Sequence, residues 1–236
     1  MEGKKVRILY VEDDANLGFV TKDNLHKKGY DVTLCADGLE ASQIFLQQKF
    51  DICILDVMLP KIDGFALAQK FRDKNKHVPI LFLTAKSLLE DKLQGFKIGA
   101  DDYITKPFSI DELVHKIEVF LKRSTVYAQN EEEKSLYHIG SYTFDFKELK
   151  LYNDLNNYTL TLREAELLRM LSINRNQVVR RESILHQVWG EDNYYIGRSL
   201  DVFVSRLRKM FADDASVQIE NVRGVGFKFN VVETAL

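Results

Sequence analysis

The chain has 236 residues, 45% of them hydrophobic and 29% charged. That balance predicts one or two domains able to bury a core and excludes a wholly disordered chain. A formal net charge of -2 excludes a global attraction to nucleic acid or anionic membrane, so any such partner must be met by a local patch.

The N-terminal Met1-Glu2-Gly3-Lys4-Lys5 leads into a strand over residues 6–11. That apolar run is too short for a signal peptide or a membrane span, and no other stretch is long and apolar enough to cross a bilayer, so the expected location is cytoplasmic. Glu12-Asp13-Asp14 follow the strand, and helical spacing continues through Leu17, Val20 and Leu25 to the stop signal Lys28-Gly29. A second strand over 32–35 precedes a helix carrying Ala41, Ile44 and Phe45. Ile52-Cys53-Ile54-Leu55 is apolar without alternation, as in a parallel strand covered on both faces. It ends on Asp56, and the turn signals Leu59-Pro60 and Asp63-Gly64 follow. A helix over about 65–71, a strand over 80–83, a helix over about 88–98 and a short strand at Tyr103-Ile104 come next. Ser109 and Glu112 make a capping box for a further helix that runs to about Arg123. Cys35 and Cys53 sit in strand-like runs and read as buried hydrophobes in a reducing compartment.

Strands alternating with helices predict a doubly wound, five-stranded parallel sheet of the flavodoxin-like kind, an α/β fold. Right-handed crossovers bring every strand's carboxyl end to one edge. Glu12, Asp13, Asp56, Thr84 and Lys106 therefore converge there. Clustered carboxylates suit Mg2+. Asp56 is then a nucleophile for a phosphoryl group, with Lys106 as cation and Thr84 as hydroxyl donor to its oxygens. Lys106-Pro107 is a candidate cis bond. Each residue also has an ordinary reading. Asp56 caps a turn, and Glu12 and Asp13 are acids favoured at a helix N-terminus. Thr84 makes a local turn bond, and Tyr103 is a half-buried strand aromatic. A Mg2+-dependent hydrolase is a rival on a similar sheet. Such enzymes carry their nucleophile after the first strand with an acid two residues on, and no such pair surrounds Asp56.

Four motifs then stand in order: Ile8-Leu9-Tyr10-Val11-Glu12-Asp13-Asp14, Leu55-Asp56-Val57-Met58-Leu59-Pro60 with Asp63-Gly64, Leu83-Thr84-Ala85-Lys86, and Gly99-Ala100-Asp101-Asp102-Tyr103-Ile104-Thr105-Lys106-Pro107-Phe108. With them, residues 1–123 resemble the receiver domain of bacterial two-component response regulators. The resemblance implies phosphorylation of Asp56 by a sensor histidine kinase. It implies Mg2+ held by Glu12, Asp13, Asp56 and the Met58 carbonyl, and Thr84 and Tyr103 as switch residues. It implies a chain that is no enzyme beyond its own phosphoryl transfer and slow autodephosphorylation.

Residues 124–136 are polar, include Glu131-Glu132-Glu133, and read as a tether. Alternation through Ile139, Tyr142, Phe144, Phe146, Leu149, Leu151, Tyr158 and Leu160 predicts a small antiparallel sheet. Thr161 and Glu164 form a capping box, and a second helix over 181–189 closes at Gly190. On a third, over 198 to about 211, Leu200, Val204, Leu207 and Phe211 share the core face. Arg198, Val202, Ser205, Arg206 and Lys209 share the other, with Arg208 at its flank. Such a face suits a major groove, with arginines for phosphates and guanine edges and Val202 for a thymine methyl. A hairpin over 217–231 carries Arg223 at its tip, toward a minor groove. The ordinary reading of the basic helix is a solvated surface with acid partners, and the near-neutral charge of this half favours it.

Leu160-Thr161-Leu162-Arg163-Glu164, Val178-Val179-Arg180-Arg181-Glu182, Val188-Trp189-Gly190, Arg198-Ser199-Leu200-Asp201-Val202, Ser205-Arg206-Leu207-Arg208-Lys209 and Val222-Arg223-Gly224-Val225-Gly226-Phe227 resemble the winged-helix effector domain of OmpR/PhoB-type regulators. The resemblance makes residues 137–236 an α+β winged helix-turn-helix domain. It implies a recognition helix from Arg198 to Lys209, a wing contact at Arg223, and a DNA-backbone position at Trp189, which otherwise closes a helix as a partly buried aromatic. Phe203 stands where histidine is frequent and Arg180 where a small hydroxyl residue is common, so the recognised sequence is left open. The family pairs its receivers through charged residues, here Lys92, Asp101, Asp102, Glu112, Lys116 and Lys122. Lys116 replaces the usual arginine and Glu118 a usual basic residue; the alternative there is a solvated mixed-charge face. The expected protein is a DNA-binding transcriptional regulator, switched by phosphorylation of Asp56 and dimerising to bind tandem half-sites. Its partners are the kinase, double-stranded DNA and RNA polymerase, with no membrane. A regulator that binds DNA without phosphorylation is the alternative.

Overall fold

The computed structural model describes residues 5–85, 101–129, 135–190 and 194–232, and of 122–129 and 194–199 the backbone alone. The chain divides into two compact units, Met1–Gln129 and Asn130–Leu236.

In the first unit, β1 (Arg7–Val11), β2 (Asp31–Cys35), β3 (Ile52–Asp56), β4 (Ile80–Ala85) and β5 (Asp102–Lys106) form one sheet in the order β2-β1-β3-β4-β5. Every pairing is parallel. All five residues of β3 are buried, which is why its sequence lacks alternation. Helices α1 (Ala15–Lys27), α2 (Gly38–Gln47), α3 (Gly64–Lys74) and α4 (Ile110–Gln129) complete the described unit. The aspartates after three strands start the helices. Asp14, Asp37 and Asp63 each accept first-turn backbone N–H groups through their side chains. Asp14 thus takes the capping role that Glu12 and Asp13 would have had on the ordinary reading. The helix expected over 88–98 lies outside the described residues. Ser109 caps α4 by accepting from the Glu112 N–H at 3.0 Å. That helix continues to Gln129, past the expected end at Arg123.

The second unit opens with an antiparallel sheet of β6 (Leu136–Ile139), β7 (Tyr142–Asp145), β8 (Lys150–Tyr152) and β9 (Asn157–Thr159). Then come α5 (Leu162–Ile173), β10 (Val178–Arg180), α6 (Arg181–Trp189), α7 (Tyr194–Met210), β11 (Val217–Val222) and β12 (Gly226–Val231). The last hairpin and β10 form a second sheet in the order β10-β12-β11. The strand β10 was not expected; three residues are too few for alternation to register. Both halves of the Thr161–Glu164 capping box are present. Leu200, Phe203, Val204, Leu207 and Phe211 of the α7 segment are buried against the rest of the unit. No helix among the described residues is long and apolar enough to cross a membrane.

Candidate functional site

The parallel register sets the first site. Val11 lies beside Leu55 and Asp56 beside Leu83, while Ala85 lies beside Lys106. Residues just past the ends of β1 and β3 and at the end of β5 therefore share one edge. There, one carboxylate oxygen each from Glu12, Asp13 and Asp56 lies within 4.8 Å of the others. Lys106 Nζ donates to Glu12 Oε1 at 2.8 Å and Oε2 at 2.6 Å, and also to Asp56 Oδ2. The Lys106-Pro107 bond is cis, as anticipated. Asp56 Oδ1 accepts from the Met58 N–H at 2.8 Å, which fixes the start of the loop after β3. Asp56 is 7% exposed and Glu12 2%. Burial pushes the Glu12 carboxyl above its ordinary range, opposed by the Lys106 ammonium. Burial pulls Lys106 down, but its bonds to Asp56 and Glu12 carry it above the ordinary lysine value. All donors in the cluster are hard oxygens, the set that suits Mg2+.

Thr84 is buried at the neighbouring strand end, and its hydroxyl donates to the Ala85 carbonyl at 3.3 Å. It has the local bond of its ordinary reading in this state. Tyr103 is half-buried and stacks on Phe82 with ring centroids 5.3 Å apart. Two residues named only as a turn signal and as part of a motif also contribute to the site. Gly64 opens α3 where a Cβ would run into the Asp56 carbonyl oxygen. Tyr10 donates to Glu12 Oε2 at 3.2 Å. Its signal was the spacing of two along one strand, which puts both side chains on one face.

The charged pairing face needs correction. Asp101 is buried against Arg72 at 2.5 Å, and its carboxylate also accepts from the Ile80 N–H at 2.8 Å. Asp102 is buried against Lys116 at 2.9 Å. These three expected surface charges are spent inside the unit, because a buried ion needs a partner. Glu112 is exposed. Lys92 lies outside the described residues, as does the side chain of Lys122.

On α7, Ser205, Arg208 and Lys209 are exposed and Val202 is half-exposed, as expected. Arg223 is exposed at the hairpin tip beside Gly224, whose φ is +74. The side chain of Arg198 lies outside the described residues. Arg206 is corrected: its Nη1 donates to Glu164 Oε1 at 2.7 Å, so it ties α7 to the start of α5. Arg208 Nε donates to the Ile219 carbonyl at 2.8 Å and braces the hairpin. Trp189 is corrected as well. It is 2% exposed, packed edge-on against Phe203 at 5.4 Å, so it closes a helix instead of meeting a DNA backbone. Asp201 on the α7 surface takes two bonds from Arg181, at 2.8 and 2.9 Å.

An acid-lined sheet edge with a lysine, joined to a helix-and-hairpin unit with an exposed basic surface, defines a class. Residues 8–118 match the response regulator receiver domain, and residues 156–229 match the C-terminal domain of transcriptional regulatory proteins. The chain belongs to the response regulators that join a receiver to a winged-helix effector domain. It is a DNA-binding transcriptional regulator of the two-component kind, not a metabolic enzyme. Among its relatives is the transcriptional regulatory protein RprY of Bacteroides fragilis, 47% identical over 225 residues, which span 95% of this chain and 94% of that one. TrcR of Mycobacterium tuberculosis is 36% identical over 96% of this chain and 87% of its own. A solved structure of a RitR variant superimposes with a TM-score of 0.76 at 27% identity, covering 96% of this chain and all of that one.

Proposed function

We propose that Asp56 takes a phosphoryl group from the phosphohistidine of a sensor kinase, and that this charge controls DNA binding. One observation carries the reading: three carboxylates from the ends of two strands, β1 and β3, meet, with the Lys106 ammonium on Asp56 and Glu12. An Asp56 oxygen forms the new bond to phosphorus as the bond to the donor nitrogen breaks. Glu12, Asp13, Asp56 and the Met58 carbonyl would hold Mg2+, which neutralises phosphoryl charge when bound. Lys106 then moves its hydrogen bonds from Glu12 to the phosphoryl oxygens. Thr84 exchanges its bond to Ala85 for one to the same group, and Tyr103 follows it inward. Slow loss of the phosphoryl group to water resets the state.

The output is receiver pairing through the face that bears Glu112, which sets two effector units on tandem half-sites. Val202, Ser205, Lys209, Arg208 and Arg223 supply the DNA surface, and Arg198 is a further candidate. RNA polymerase is the downstream partner, in the cytoplasm. The test uses DNA selected from random sequence and fluorescence anisotropy of full-length protein. Acetyl phosphate or beryllofluoride should tighten wild-type binding roughly tenfold or more and leave Asp56→Ala unchanged. Equal affinities throughout would establish phosphorylation-independent binding instead.

A further inference from the structure

Tyr10 is fully buried in β1. A phenylalanine would fill the same space, but a buried phenol must find a hydrogen-bond partner. Its hydroxyl donates to Glu12 Oε2 at 3.2 Å. The fully buried Thr21 side chain of α1 faces the same phenol. Glu12 is thus held from two sides. Lys106 reaches both of its oxygens from the solvent side of the sheet edge, and Tyr10 reaches one from within the core. The two holds differ in permanence. Lys106 also serves Asp56 and is drawn to whatever anion Asp56 acquires, whereas Tyr10 is fixed by packing in the strand.

We propose that Tyr10 is a positioning residue for the divalent cation: its hydroxyl keeps the Glu12 carboxylate turned toward Asp13 and Asp56 when Lys106 lets go. This rests on the reading of the acidic cluster as a Mg2+ site. Groups that orient a ligand from behind commonly change metal affinity ten- to a hundredfold. A single hydroxyl bond of 3.2 Å to one oxygen of the carboxylate belongs at the lower end of that range.

The experiment is calorimetric titration of the full-length chain with Mg2+ alone, with melting curves to verify folding. Tyr10→Phe should weaken Mg2+ binding about tenfold. In a Glu12→Ala background the same change should have less than about a twofold effect, because the link is gone. Mg2+ should also perturb the tyrosine ultraviolet difference spectrum of the wild type, and Tyr10→Phe should remove that component. Equal affinity and an equal spectrum in Tyr10→Phe would overturn the proposal, while loss of binding in Asp13→Asn would show that the metal site itself stands. A Tyr10→Phe effect undiminished in Glu12→Ala would overturn it too, since the residue would then act through packing. If neither the wild type nor Asp13→Asn binds Mg2+, the metal site falls and the positioning role falls with it.

Discussion

Arg206→Ala distinguishes a base-reading arginine from one that holds the effector unit together. Glu164 Oε2 accepts from the Thr161 N–H at 2.8 Å and completes the helix cap, while Oε1 accepts from Arg206 at 2.7 Å. The Glu164 side chain is 6% exposed and that of Arg206 22%. Alanine therefore leaves a buried carboxylate oxygen without its cation. Removing one partner of a buried pair costs roughly 3–5 kcal/mol. Water can replace part of a guanidinium that is one-fifth exposed, so about 2 kcal/mol is expected here. For a unit near one hundred residues that lowers the melting temperature by roughly 10 °C. Fluorescence of Trp189, the single tryptophan of the chain, reports this unit selectively within the full-length protein. Glu164→Gln should rescue most of the loss, because glutamine keeps the capping box and needs no cation. An Arg206→Ala protein that melts with the wild type yet loses base discrimination would refute the reasoning and return Arg206 to the DNA.

The junction at Asp214 gives a pH prediction. Burial pushes its carboxyl up, but hydrogen bonds from Ser216 and Ser141 outweigh that and hold it at about 2. Its folded value lies below the unfolded one near 3.9. The contribution, at most roughly 2 kcal/mol, is therefore complete above pH 4 and lost as pH falls toward 2. The stability gap between wild type and Asp214→Asn should close over that window; a gap that widens would contradict it. Lys116→Met should destabilise the receiver by about 3 kcal/mol by taking the ammonium away from the buried Asp102 carboxylate. Adding Asp102→Asn should recover most of that, as circular dichroism melts would show. Gly64→Ala drives a methyl group into the Asp56 backbone. It should cost more than about 2 kcal/mol and slow phosphorylation by acetyl phosphate; an unaltered rate would mean the loop yields freely.

What could be read in advance was whatever is local. The unalternating run before Asp56, the capping pair Thr161 and Glu164, and the Gly190 stop each declare themselves within a few residues, and the structure has them in place. The meeting of Glu12, Asp56 and Lys106 is long-range, yet it was legible because parallel topology forces strand ends together. What could not be read was which charge answers which. Arg72 with Asp101, Lys116 with Asp102, and Arg206 with Glu164 are each separated by many residues and joined only by packing. A helical pattern shows which face a charge lies on, never what stands opposite. Trp189 failed for the same reason: its cover comes from Phe203, on the next helix.

Those hidden pairs bear on how the regulator would work. A sequence count credits the α7 surface with cations that Glu164 partly cancels, and Asp201 sits on the same surface paired to Arg181. Lys209 and Arg223 stay exposed, and Arg208 is braced by the hairpin. Each phosphate neutralised adds about 0.9 to the slope of log affinity against log salt, so if the described outward cations of α7 and the hairpin carry the contact, one effector unit would bind weakly and with a shallow salt dependence. Weak single-unit binding is the condition under which pairing matters most, since joining two weak contacts multiplies occupancy without any new contact to DNA. Under the proposed function, the internal neutralisation of α7 and a phosphorylation-driven dimer would be two sides of one arrangement. A stronger basic face would bind DNA in either state and leave Asp56 with nothing to control.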